Sequence, residues 1–144
     1  MKQQFSFRLA ATTVLSLVLA SALWSQGSVS KFPPEGWQDS DSFVVHASGQ
    51  ADKELTKPAD QRRSARKNAL MLAKVRCYEK FIGERLAAGL NYSAKAMRRE
   101  YGAVIDGGKI AAIRWEDDRL CTIAFRVESP GLKDRIYRWM PEGK

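Results

Sequence analysis

The chain of 144 residues carries 24 Lys and Arg against 16 Asp and Glu, a formal net charge of +8. That length holds one domain with a modest core. The charge calls for anionic surroundings, while the first thirty residues point to export and so exclude nucleic acid as an expected partner.

Those residues, "MKQQFSFRLAATTVLSLVLASALWSQGSVS", place Lys2 and Arg8 ahead of an apolar stretch from Leu9 to Ala22 and contain no acid. This is the order of a signal peptide, with Ala20-Ser21-Ala22 as a small-residue cleavage site. The apolar run is shorter than the roughly 20 residues of a transmembrane span, although Trp24 would suit a bilayer interface, so a retained signal anchor stays open. Without residues 1–30 the count is 22 basic against 16 acidic, near +6. The segment has no cysteine and cannot be a lipoprotein signal.

Residues 31–42, with Pro33-Pro34 and Gly36, read as a linker, because two prolines fix φ and remove donors. Phe43 to Ala51 alternates as a half-buried strand, with Phe43, Val45 and Ala47 on one face and His46 on the other. Pro58 suits the first turn of a helix that runs without a further proline to Leu86. Within it Leu70, Ala73, Cys77 and Phe81 form one apolar stripe, and Leu72, Val75, Ile82 and Leu86 form a second on nearly the opposite side. A helix apolar on two sides needs two neighbours: a sheet, and either a later helix or another copy of the chain. Residues 92–101 read as a short helix or ordered loop, and Gly107-Gly108 as a turn. Lys109 to Trp115 and Leu120 to Val127 alternate as strands joined by the polar bend "EDDR", and "SPGLKDRIYRWM" starts a closing helix. The expected fold class is α+β, a long helix packed on a small antiparallel sheet, in a single domain over 43–140.

Candidate chemistry is sparse. Glu116, Asp117 and Asp118 are adjacent on an extended chain, so their side chains diverge and the cluster reads as a solvated bend, not a metal site. His46, the only histidine, lies out of phase with the apolar face, whereas Cys77 and Cys121 fall on apolar stripes, which separates base from thiol. No Gly-rich phosphate loop is present, since "DGGK" lacks the flanking residues. No catalytic residue, cofactor or metal is expected. Two cysteines in an exported domain suggest a Cys77–Cys121 disulfide, against the alternative of two buried free thiols. A bridge needs Cα atoms within about 7 Å, and a helix packed on its neighbour leaves nearer about 8 Å. Arg62, Arg63, Arg66 and Lys67 crowd the start of the long helix, where the macrodipole disfavours cations. They form either a solvated face or a contact for an anion such as a lipid headgroup, a glycan or an acidic patch on another subunit.

The order of strand and long helix, Gly49 after the strand, "QRRSARKNA" opening the helix, Tyr78 and Gly83 late in it, and "GAVIDG" before the hairpin together resemble the Lpp-twenty family of small bacterial envelope lipoproteins. The resemblance spans Val44 to Val127 and departs in one respect, the missing lipobox cysteine. It implies a small α+β domain with no catalytic residues. It also implies a structural part in the flagellar motor at the outer membrane, where family members assemble into rings or discs. The expectation is thus a non-enzymatic, exported protein of the periplasm or the periplasmic face of the outer membrane, needed for motility. Its expected partners are further copies of itself, through Leu72, Val75, Ile82 and Leu86, and other motor or envelope proteins, with membrane association through the N-terminal segment. The alternative is a periplasmic binding module for an anionic envelope ligand, using Arg62, Arg63, Arg66 and Lys67.

Overall fold

The computed structural model describes residues 32–138; the expected signal segment and positions 139–140 of the expected domain lie outside them. In chain order the elements are β1 (Gly36–Trp37), β2 (Ser42–Gln50), α1 (Pro58–Ala87), α2 (Ala94–Asp106), β3 (Lys109–Trp115), β4 (Leu120–Glu128) and α3 (Leu132–Ile136). The strands form one antiparallel sheet in the order β1-β2-β4-β3, with β2 and β4 at its centre. The class is α+β, and its long helix is the 30-residue α1.

Helix α1 begins where its sequence allows. Lys57 is extended, Pro58 occupies the first turn, and no later proline intervenes before the helix ends. Gly89 ends it with φ +71, the left-handed conformation that glycine adopts at little cost, and the Leu90 amide bonds back to the Arg85 carbonyl. Between these limits Ala65, Ala69, Ala73, Cys77, Phe81 and Arg85 are all fully buried. Their strict spacing of four residues has a geometric consequence. At 3.6 residues per turn each step advances the ridge by about 40°, so it turns by about 200° from Ala65 to Arg85. The small first half of the ridge faces the sheet. The bulky second half faces elements that come from elsewhere in the chain.

At the sheet the approach is close. Gly49 on β2 lies opposite Cys121 on β4, and a β-carbon on Gly49 would land on the backbone of Ala65 and Ala69. Glycine and alanine therefore let strand and helix backbones touch. At the far end Phe81 meets Phe43 with ring centroids 5.4 Å apart, Tyr101 of α2 at 5.7 Å, and the Trp37 ring, stacked, at 6.2 Å. Arg85 is entirely buried, donating from Nε to the Asn91 carbonyl and from Nη1 to the carbonyls of Ile136 and Arg138. One guanidinium thus ties the α1–α2 turn to the end of α3.

Two expectations change. Of the expected linker over 31–42, residues 32–42 are described and are not a free linker: Gly36 and Trp37 pair with Val44 and Phe43 as an edge strand, and Trp37 packs on the core. The Glu35 carboxylate accepts from the His46 amide at 3.2 Å and pairs with Arg76 at 3.3 Å and Lys80 at 3.7 Å. Two prolines are compatible with this extended edge, and Phe81 supplies the surface that holds Trp37. Nor is α1 covered on two sides. Ala73, Cys77 and Phe81 of the first stripe are buried and Leu70 is half-buried, but Leu72, Val75 and Leu86 of the second remain 49, 51 and 54% exposed. Helix α2 shelters only Ile82.

The close approach at Gly49 predicts that Gly49→Ala costs about 3 kcal/mol or prevents folding, since backbone atoms cannot step aside. Gly83 on α1 has nothing within 4 Å of an added β-carbon, and Gly83→Ala should stabilise by about 0.5–1 kcal/mol. Denaturant unfolding of the two variants checks the contrast; similar effects would refute the packing. A second expectation concerns Glu35. Partial burial acts to raise its carboxyl, but the His46 amide, Arg76 and Lys80 outweigh burial and hold it below its usual 4.5. A depressed folded-state value stabilises above the unfolded value, and the gain fades as pH falls through the folded one. The stability gap between the unmodified protein and Glu35→Gln should be widest near neutrality and close progressively below about pH 4.5. A gap independent of pH would show that the carboxylate charge is immaterial.

Candidate functional site

The surface with the clearest unmet chemistry runs along the outer side of α1. Leu72, Val75 and Leu86 lie within about four turns of one another on a single helical face. Helix α2 packs beside them because Met97, Tyr101 and Ile105, four residues apart, bury its apolar side, while Ser93 caps its start by accepting from the Ala96 amide. Between the two helices lies an apolar groove of about 300 Å³, lined by Ile82, Ala94 and Met97, bounded on one side by Val75 and edged by Tyr78, Lys74, Glu79 and Arg98. Lys74 is engaged there with Asp106 at 2.8 Å. On the other side of Val75 a second hollow, of about 250 Å³, lies against β2 and is lined by Ala47, Ser48, Leu72, Val75, Arg76 and Glu79. Val75 is thus the crest between two hollows. Of the residues expected on this face, Leu72, Val75 and Leu86 stand open and Ile82 lines the groove. The expectation leaves a later helix, with residues 92–101 read as a short helix or ordered loop, open as a neighbour of this face; α2 is that helix, and the spacing of Met97, Tyr101 and Ile105 buries its apolar side.

The basic cluster at the start of α1 is less open than its sequence suggests. Arg62 pairs with Asp118 at 2.5 Å and lies over the Trp115 ring at 5.8 Å, and Arg63 reaches Asp60 at 3.8 Å. Arg66 and Lys67 have no ion pair among the described residues. The acidic bend is accounted for in the same contacts. The Asp117 carboxylate accepts from the Arg119 and Leu120 amides at 2.6 and 2.8 Å, shaping the turn, and Asp118 meets Arg62. Arg119 completes the corner by donating to the carbonyls of Leu55 and Asp52 at 3.1 and 2.9 Å. Two clusters that are 56 residues apart in sequence therefore neutralise each other in part.

Cys77 and Cys121 are both buried free thiols, the second of the two alternatives open from the sequence, and no disulfide joins them. The reason is position along α1. Cys121 lies opposite Gly49, which abuts Ala65 and Ala69, whereas Cys77 is eight residues further on, about 12 Å along the axis. Burial pushes the Cys77 thiol up to about 12 and raises that of Cys121 as well. His46 lies on the opposite face of the sheet from both thiols, its Nε2 at 2.7 Å from the Pro33 carbonyl and its ring 4.8 Å from that of Phe32. Among the described residues no three His, Cys, Asp or Glu side chains gather as metal ligands, and no helix is long and apolar enough to cross a membrane.

Set against known proteins, the chain matches no family model, no curated protein and no solved structure. What the arrangement offers chemically is a surface for apolar contact with a mixed-charge rim. Thiol chemistry is suppressed by burial, which gives a direct check. Neither cysteine should react with a maleimide at pH 8 in the folded protein, and two should react after unfolding. Rapid labelling of either thiol under native conditions would contradict the packing of α1 on the sheet.

Proposed function

We propose that the protein is a non-enzymatic structural component of the bacterial envelope that self-associates through the outer face of α1. The observation that carries this reading is Val75, a half-exposed aliphatic crest between two hollows, flanked on the same face by Leu72 and Leu86. Isolated apolar residues on a surface are ordinary, but a run of them beside an apolar groove marks an interaction site. Completing the burial of three half-exposed side chains is worth about 1 kcal/mol each on each copy, a useful fraction of the cost of docking.

Export by the N-terminal segment puts this assembly in the periplasm or at the periplasmic face of the outer membrane. The resemblance to the Lpp-twenty family extends the proposal to a ring or disc at the flagellar motor, required for motility and in contact with other motor proteins. A deletion strain that swims normally with intact motors would remove the motility role. The alternative is an anion-binding module, for which Arg66 and Lys67 have no ion pair among the described residues, while Arg62 and Arg63 also meet Asp118 and Asp60.

The direct test is Val75→Asp in the full-length protein. It should lower the mass seen by light scattering to that of a monomer, with an unchanged circular dichroism spectrum, because Val75 is not part of the core. An unmodified protein that is monomeric at every concentration would end the proposal, as would an oligomer untouched by Val75→Asp.

A further inference from the structure

The sheet treats its two edges differently. Along β2 the outer edge is closed by β1 at Phe43 and Val44, by the Glu35 carboxylate on the His46 amide, and by the Asn68 amide on the Gln50 carbonyl. Along β3 nothing among the described residues bonds the outer edge. Such an edge presents alternate amides and carbonyls as a template for another strand. The middle of β3 is also thinly covered. Ile110 and Trp115 pack partly buried against the core, Trp115 beneath Arg62 of α1, but α1 packs mainly on β2 and β4 and leaves Ile113 between them open. Core-side Ile113 is in consequence 38% exposed, although its register partner Ile123 is fully buried.

We propose that the free edge of β3 pairs with the same strand of a second copy, antiparallel about a two-fold axis at Ile113. The register is set by the side-chain pattern. An irregularity at Ala111 resets the alternation, so that Ala112 and Arg114 lie on one face of the sheet and Ile113 and Trp115 on the other. An antiparallel partner must match these faces, because a shift of one residue sets core-side against outer-side groups. Centring the pair on Arg114 would put two guanidinium groups directly opposite each other, which is unfavourable. Centring it on Ile113 sets Ile113 against its twin, Arg114 against Ala112 and Trp115 against Ala111, with no like charges opposed. Lys109 then falls beyond the last paired position. The two thinly covered inner faces would adjoin and cover each other's isoleucine.

This contact uses a surface other than the α1 face and stands apart from the proposal made there. An isologous pair at β3 closes on itself as a dimer, so only a second, different contact carries growth beyond two copies. With both surfaces active, each copy has the two contacts that a larger assembly requires.

Disulfide trapping in the full-length protein tests the pairing. Opposite residues in an antiparallel pair have Cα atoms about 4.5–5.5 Å apart, within the reach of a disulfide. Ile113→Cys should therefore give a covalent dimer under mild oxidation, undisturbed by the buried native thiols. Lys53→Cys, exposed on the loop after β2, serves as the control and should give little. If Ile113→Cys cross-links no better than Lys53→Cys, the inference falls, whether the edge is free or takes a strand from some other protein. Cross-linking at Val75→Cys alone would overturn the β3 contact and leave the α1 proposal standing. Ile113→Lys, which opposes two cations on the axis, should weaken dimerisation at least tenfold with an unchanged circular dichroism spectrum. An unchanged dissociation constant would also overturn the pairing.

Discussion

The approach of α1 to β2 at Gly49 governs the placement of most other side chains on the helix. Alanine at 65 and 69 and glycine at 49 let two backbones come into contact, and that contact fixes the helix in height and in rotation. Once Ala65 and Ala69 face the sheet, the four-residue spacing of the ridge determines where every later residue points. Cys77 reaches the core, Phe81 meets an aromatic cluster, and Arg85 is carried inward to the end of α3. The same rotation sends Leu72, Val75 and Leu86 outward. The exposed stripe is thus a consequence of the packing that holds the helix down, and its residues contribute little to the fold itself.

Phe81 is the second fixed point. Its ring lies among Trp37, Phe43 and Tyr101, so one side chain of α1 joins β1, β2 and α2. Edge-to-face pairs of this kind add about 0.5–1.5 kcal/mol each beyond their buried area. Arg85 plays a matching part at the end of the ridge, where its guanidinium satisfies carbonyls of two separate turns. A buried cation without a carboxylate partner is costly unless its donors are used; here three carbonyl oxygens take those of Nε and Nη1, while Nη2 is buried without a partner.

Periodicity disclosed the elements well. The strand from Phe43, the helix from Pro58 and the hairpin about "EDDR" are all present, because alternation and proline placement are local properties of the chain. What depended on distant partners was not legible. The Pro33–Trp37 stretch has the composition of a linker, and only the surface around Phe81 turns it into an edge strand. The Cys77–Cys121 pair looked plausible from shared apolar faces, but facing the same core does not bring two residues to the same height along a helix. The basic and acidic clusters look independent in sequence, since nothing in either stretch tells that a hairpin will carry Asp118 to Arg62. The burial of Arg85 is hard to read from sequence for a related reason. A charged residue invites the assumption of exposure, although counting in fours from Ala65 arrives at it directly. On the outer face of α1 the apolar stripe was legible and its exposure was not, because that required knowing that α2 would cover Ile82 and stop there.

The central claim is that the outer face of α1 is covered by another copy in the working protein. Hydroxyl-radical footprinting of the full-length protein across a concentration series reads this at the side chains themselves. Leu72, Val75 and Leu86 should be modified readily when dilute and become protected together as concentration rises, while Tyr137, exposed at the end of α3, stays equally reactive. Modification of the three that is the same at every concentration would contradict the account.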